Sequence, residues 1–241
     1  MSYWNKNNFE GMRFVGERYA QTENFELFGK YCLQKEQGLK KQAIASINAF
    51  VANLREKPVG RQREIAVELS ALSFYNPKIH QLIAHPLREY IHSVLVGWVS
   101  DEPLDPTPHK WLGHMARDVS SYERALALDP EDEVCLGQVA EACLRHIDYQ
   151  THHLSESLFI GELSDAKSSL HKAQMLVTKL EEGELRQNLQ HDLDYYSTLL
   201  RCWEEYSTSN APEGFPEWCV SRGYRFDLGT IVYYNQPVSA D

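Results

Sequence analysis

Apolar residues recur at helical spacing along almost the whole chain, and this single pattern removes most folds from consideration. Ile44, Ile47, Val51 and Leu54 form one stripe, Ile65, Leu69 and Leu72 a second, and Leu87, Ile91, Val94 and Trp98 a third. The pattern resumes with Leu136, Val139, Cys143 and Ile147 and continues with Leu170, Ala173, Leu176 and Leu180. Its longest run is Leu185, Leu189, Leu193, Tyr196, Leu199 and Trp203. An isolated amphipathic helix is marginal in water and gains its stability by burying its apolar stripe. Each stripe therefore needs a neighbour, and the chain up to about residue 207 reads as stacked antiparallel helical hairpins. The expected fold class is all-α, with a short irregular C-terminal cap over residues 208–241.

Helix breakers fall between the stripes. Gly38 closes one helix, Pro58 to Gly60 separates two, and Asn76-Pro77 ends another. Gly183 is expected to take a left-handed cap conformation, and Pro86 suits the first turn of a helix. Prolines at 103, 106 and 108 are read as making residues 101–108 a non-helical linker. On that reading the domains are an N-terminal helical subdomain (1–100), the linker, a second helical subdomain (109–207) and the cap. Within the cap, Phe215 to Val220 reads as a short helix stopped by Gly223. Thr230 to Tyr234 has the β-branched and aromatic content of a strand with no partner to pair with.

The most specific stretch is Tyr122-Glu-Arg-Ala125-Leu126-Ala-Leu128-Asp129-Pro130, followed by three acidic residues and a new apolar-periodic helix. Tyr122, Ala125 and Leu126 share a face, and the small Ala125 permits close approach of a neighbour. Asp129 is expected to cap the next helix, with Pro130 at its first position. This segment resembles the second helix of a tetratricopeptide repeat and its junction to the next unit. Trp111-Leu-Gly113 is similar to the opening of that family's first helix, and Leu170-His-Lys-Ala173 and Ile47-Asn-Ala-Phe50 echo the Tyr122/Ala125 pair. Ala125 lies 75 residues after Phe50 and 48 before Ala173, neither a multiple of the family's roughly 34-residue period. The resemblance implies degenerate helical hairpins over roughly residues 110–180, a surface for a protein or peptide partner, and no catalysis. The basic clamp some members use for acidic C-termini is not matched, since the helix expected over residues 131–148 offers only Arg145.

Charge narrows the partner. The chain carries 24 Lys and Arg against 34 Asp and Glu, a net of −10, which argues against general nucleic-acid binding. Residues 1–65 hold 11 basic and 7 acidic side chains, and the remainder 13 and 27. The acidic bulk suits a basic partner, including an inhibitor of immunity type that neutralises a basic protein. No apolar run approaches a membrane span, and five unpaired-looking cysteines fit a reducing cytoplasm.

Three constellations bear on chemistry. Trp111 and Arg117 follow the proline-rich stretch, and with Arg145, His152 and His153 they form the candidate partner surface; Trp111 could equally anchor the core. His146, Asp148, His152, His153 and Glu156 are all zinc or iron ligand types and make a metalloenzyme the alternative reading, although a helix C-terminus favours histidines by its dipole alone. Glu89 and His92 match one half of a di-iron element, but no other histidine has an acidic residue three positions before it. Phosphate loops, nucleophile elbows and cofactor fingerprints are missing, so no cofactor is expected.

Overall fold

The computed structural model describes residues 6–229. Among them the chain forms eleven α-helices and one 3-10 turn, with no strand. They are α1 (Lys6–Tyr19), α2 (Glu26–Glu36), α3 (Lys40–Arg55), α4 (Val59–Tyr75), α5 (His85–Asp101), α6 (Pro106–Ala116), α7 (Val119–Leu128), α8 (Glu133–Thr151), α9 (Leu163–Val177), α10 (Glu184–Thr208) and α11 (Phe215–Ser221). The 3-10 turn Leu154–Glu156 lies between α8 and α9. Within each unit most consecutive helices pack on one another, as a stack of helical hairpins requires. The segment Thr230 to Tyr234, read as a strand, lies outside the described residues.

The chain divides into two compact units, residues 1–130 and 131–241. In the first, α1 packs on α2, α2 on α3, α3 and α4 on α5, and α6 on α4, α5 and α7. Its core is aromatic at one end, where Phe25 and Phe28 meet both Tyr19 and Phe50 with ring centroids 5.1–6.0 Å apart. Leu54, Ile65, Leu69, Leu87 and Leu95 continue it, each fully buried. Asn8 is buried here and its Oδ1 accepts from the Gln81 backbone N–H at 3.1 Å, while Tyr31 donates to the Gln81 carbonyl at 2.6 Å. Two apolar positions depart from the periodic reading: Leu185 is 42% exposed at the start of α10, and Ile44 is 58% exposed, because the buried face of α3 runs through Ala43, Ile47, Phe50 and Leu54 instead.

Two punctuation readings need correction. Residues 101–108 are not non-helical throughout: α5 runs to Asp101, and α6 begins at Pro106 with Pro108 also in its first turn. The first-turn N–H groups of a helix have no intrahelical acceptor, so proline loses nothing there. The Asp105 carboxylate caps the turn by accepting from the Thr107 N–H at 2.9 Å, and α5 and α6 pack together across the short connection. Further on, Asp129 is the C-cap of α7, and the N-cap of α8 is Asp132, which accepts from the Cys135 N–H at 2.9 Å. Pro130 sits in the turn before that helix, and Glu133 is its first residue.

In the second unit α8, α9 and α10 pack mutually, and α11 lies against α10 and the 3-10 turn. The cap expected after residue 207 is there in its described part. Phe215, Trp218 and Cys219 bury against Leu154, Leu199 and Cys202, and Ser157 Oγ accepts the Phe215 N–H at 2.7 Å. Gly38 and Gly223 take positive φ after α2 and α11. Gly183 does not: its φ of 179° is extended, and it serves as the N-cap of α10. The five cysteines are not joined in disulfides; four are buried and Cys143 is half-buried. No described helix is long and apolar enough to cross a membrane.

Candidate partner-binding groove

A wide concavity in the second unit follows from two helical faces. On α10, His191, Asp192, Tyr195, Tyr196 and Leu199 recur at spacings of one, three and four residues, so they share one side of the helix. At the end of α8, Asp148, Thr151 and the C-cap residue His152 do the same. With Asp227 to Gly229 beyond α11, these residues line an open groove of about 550 Å³.

The two tyrosines are held in place by polar contacts and by each other. Tyr196 donates its hydroxyl to Asp148 Oδ1 at 2.9 Å, and Tyr195 donates to the Asp227 carbonyl at 3.2 Å. Their rings stand edge to face, 5.2 Å apart at 83°, and Tyr195 meets Phe226 in the same geometry. Burial first, then the hydrogen bond to Asp148 and its charge, push the Tyr196 phenol well above its ordinary value. Burial followed by the charges of Asp227 and Asp148 raises Tyr195. Both phenols therefore remain O–H donors at neutral pH. Asp148, Asp192 and Asp227 bring three carboxylates to the groove, acceptors that suit guanidinium or ammonium groups, and the tyrosine faces attract cations by their quadrupole.

The residues expected to form the partner surface are distributed differently. Trp111 is 5% exposed and packs in the first unit against Phe74 and His114, at centroid distances of 6.2 and 6.5 Å; of its two readings, core anchor is the one it fills. Arg117, also in the first unit, takes a left-handed conformation (φ 57°) that closes α6, its N–H donating to the Gly113 carbonyl. In the second unit, Arg145 is exposed and reaches Glu141 of its own helix at 3.4 Å. His152 and His153 are neighbours, with rings 4.1 Å apart, and of the five residues His152 alone lines the groove.

The metal alternative is not supported by the geometry. His153 Nδ1 pairs with Glu156 at 3.0 Å, His152 Nδ1 lies 2.6 Å from the Tyr149 carbonyl, and Asp148 Oδ1 accepts from Tyr196. Among the described residues no three His, Cys, Asp or Glu side chains converge as a metal-binding group. His146, Asp148, His152, His153 and Glu156 are therefore spread along the end of α8 and the turn after it instead of gathering around one point.

Sequence reasoning passed over His191, Asp192, Tyr195, Tyr196 and Asp227. Tyr196 was counted into the apolar stripe of its helix, yet it is only half-buried and keeps its hydroxyl at the groove. The available signal was the run His-Asp-Leu-Asp-Tyr-Tyr at 191–196, whose His191, Asp192 and Tyr195 put polar and aromatic groups beside the apolar stripe of Leu189, Leu193 and Tyr196. Compared with known proteins, the chain matches no family model, no curated protein and no solved structure.

Proposed function

We propose that this chain is a non-enzymatic interaction module built from tetratricopeptide-like helical hairpins, and that its second unit takes a basic protein or peptide. The observation that carries this reading is the groove between α8 and α10, where Asp148, Asp192 and Asp227 surround Tyr195 and Tyr196. Its surroundings reinforce it. The second unit holds 8 basic and 19 acidic residues, a net of −11, against 16 and 15 in the first, a net of +1. The net negative charge of the molecule thus resides in the unit that carries the groove. Such a field speeds encounter with a cationic partner and disfavours anionic ones. The tetratricopeptide likeness is supported by the Gly113–Tyr122 and Ala125 packing that joins α6 to α7, the helix pair on which the resemblance rests.

The test is fluorescence anisotropy with labelled peptides of about 15 residues, one rich in Arg and Lys and one in Glu, titrated with the intact protein. The basic peptide is expected to bind saturably and the acidic one not at all. Replacing Asp148, Asp192 and Asp227 together by Asn keeps a partner for the Tyr196 hydroxyl and is expected to weaken binding at least tenfold. Equal affinity of the triple variant, or equal binding of the acidic peptide, sinks the proposal.

A further inference from the structure

Seven glycines lie inside the described helices, and most of them have a reason within the chain. A Cβ on Gly11 would meet Ile79 at 2.5 Å, on Gly16 Leu33 at 2.7 Å, on Gly29 the Ala20 backbone at 2.1 Å, on Gly113 the Tyr122 ring at 2.7 Å, and on Gly137 Leu185 at 3.0 Å. Two have open space instead, Gly60 and Gly97. Gly60 is in the first turn of α4, where helix propensity matters least. Gly97 lies deep within α5, where glycine is unfavourable relative to alanine because of its backbone entropy, and nothing in the first unit requires the missing side chain.

Gly97 forms part of a groove of about 330 Å³ between the α3–α4 junction and α5. Val59 and Val94 supply its apolar surface, and Val59 is 59% exposed. At one end the groove is electrically closed. Arg63 lies over the Trp98 ring at 5.1 Å and bonds Asp101 and Glu102, each at 2.5 Å. At the other end stands Arg55, exposed and without an ion-pair partner among the described residues. There Tyr90 donates to Gln62 at 3.0 Å, and Gln62 donates to the Lys57 carbonyl at 2.7 Å, which fixes the junction between the helices.

We propose that this groove is a second docking site, distinct from the acidic groove of the other unit, and that it takes an amphipathic helix of a partner protein. Its aliphatic residues would cover Val59 and Val94, its backbone would approach α5 at Gly97, and a carboxylate would meet Arg55. Charge complementarity selects the occupant, since the one uncommitted charge on the groove is positive. The small residue at 97 sets how closely the helix can lie, in the manner of an apolar face laid into a hydrophobic groove.

The experiment uses the intact protein and a labelled helical peptide of about 15 residues, four turns, with Leu along one face and Glu flanking it. A second peptide carries Lys in place of Glu. The Glu peptide is expected to bind saturably and to perturb tryptophan emission; Gly97→Ala weakens it a few-fold and Gly97→Leu at least tenfold. Arg55→Glu is expected to transfer preference to the Lys peptide. Gly97→Ala is also expected to raise the melting temperature by about 1–4 °C, which shows that the variants fold and that the glycine is not needed for folding. The proposal is overturned by absence of saturable binding, by unchanged affinity in Gly97→Leu, by an indifferent Arg55→Glu, or by a lowered melting temperature in Gly97→Ala. Concentration-dependent dimerisation abolished by Gly97→Leu also overturns it, because the occupant would then be a second copy of the chain.

Discussion

Single side chains in this protein are held by close fits whose consequences can be measured. Gly113 lies flat against the ring of Tyr122, which is 4% exposed and has nowhere to retreat. Gly113→Ala is expected to destabilise the first unit by about 1–3 kcal/mol, the usual range for overpacking, as read by denaturant unfolding; a neutral result would show that α6 and α7 can slide apart at no cost. His114 makes a different kind of contact. Its Nε2 lies 2.6 Å from Ser73 Oγ, and Phe74 flanks the ring at 5.4 Å. Burial first, then Arg88 and Arg117, push its pKa below the ordinary 6.5. The unfolded chain therefore takes up this proton more readily than the folded one. The contribution of neutral His114 is complete above pH 6.5 and is lost as the pH falls below that value through the folded pKa. The melting temperature of the wild type should drop more between pH 7 and 5 than that of His114→Gln, and parallel curves would remove the histidine from the acid response.

At the scale of elements, three successive helices start the same way: Asp105, Asp118 and Asp132 cap α6, α7 and α8 with carboxylates accepting backbone N–H groups at 2.9–3.1 Å. Asp118 also accepts from Ser120 and Ser121, and those side-chain bonds lower its pKa. Alanine at any one of these positions is expected to cost about 1 kcal/mol, seen as a shift of the denaturation midpoint with unchanged slope. This tier of structure was the most legible in the sequence, since a helical stripe and a breaker are both local signals. Gly38, Asn76-Pro77 and the turn at Pro58 mark helix ends because they act on their own backbone. The misreadings came from residues with two allowed roles. Proline breaks a helix interior but suits a first turn, so Pro106 and Pro108 open α6 instead of excluding it. Two aspartates three residues apart, Asp129 and Asp132, could each cap α8, and only the turn geometry chooses. The groove was less legible because it depends on which face of α10 meets which face of α8, and periodicity within one helix does not encode that pairing.

For the whole molecule, the division after Pro130 reorganises the charge seen in the sequence. A net of −10 becomes a nearly neutral first unit and a second unit at −11. Association with a basic peptide should consequently weaken steeply between about 0.05 and 0.3 M salt, because surface attraction is screened beyond a Debye length of about 6–14 Å over that range. Neutralising exposed acids of residues 131–229 should flatten that dependence, whereas the same number of changes in residues 6–130 should leave it alone; indifference to salt in the wild type would argue for an apolar contact instead. The thiols follow the same division. Cys32 is the single cysteine of the first unit and is wholly buried, while the other four belong to the second, where Cys219 is pushed up to about 12 by burial and by neighbouring Cys202. Thiolates are the species that alkylating reagents attack, so the folded chain protects its four buried thiols, with half-buried Cys143 as the background, and each opening exposes a different number of them. Mass spectrometry after a brief alkylation pulse would register one adduct when the first unit opens and several when the second does. The placement of the cysteines thus gives the protein a built-in count of which half comes apart first.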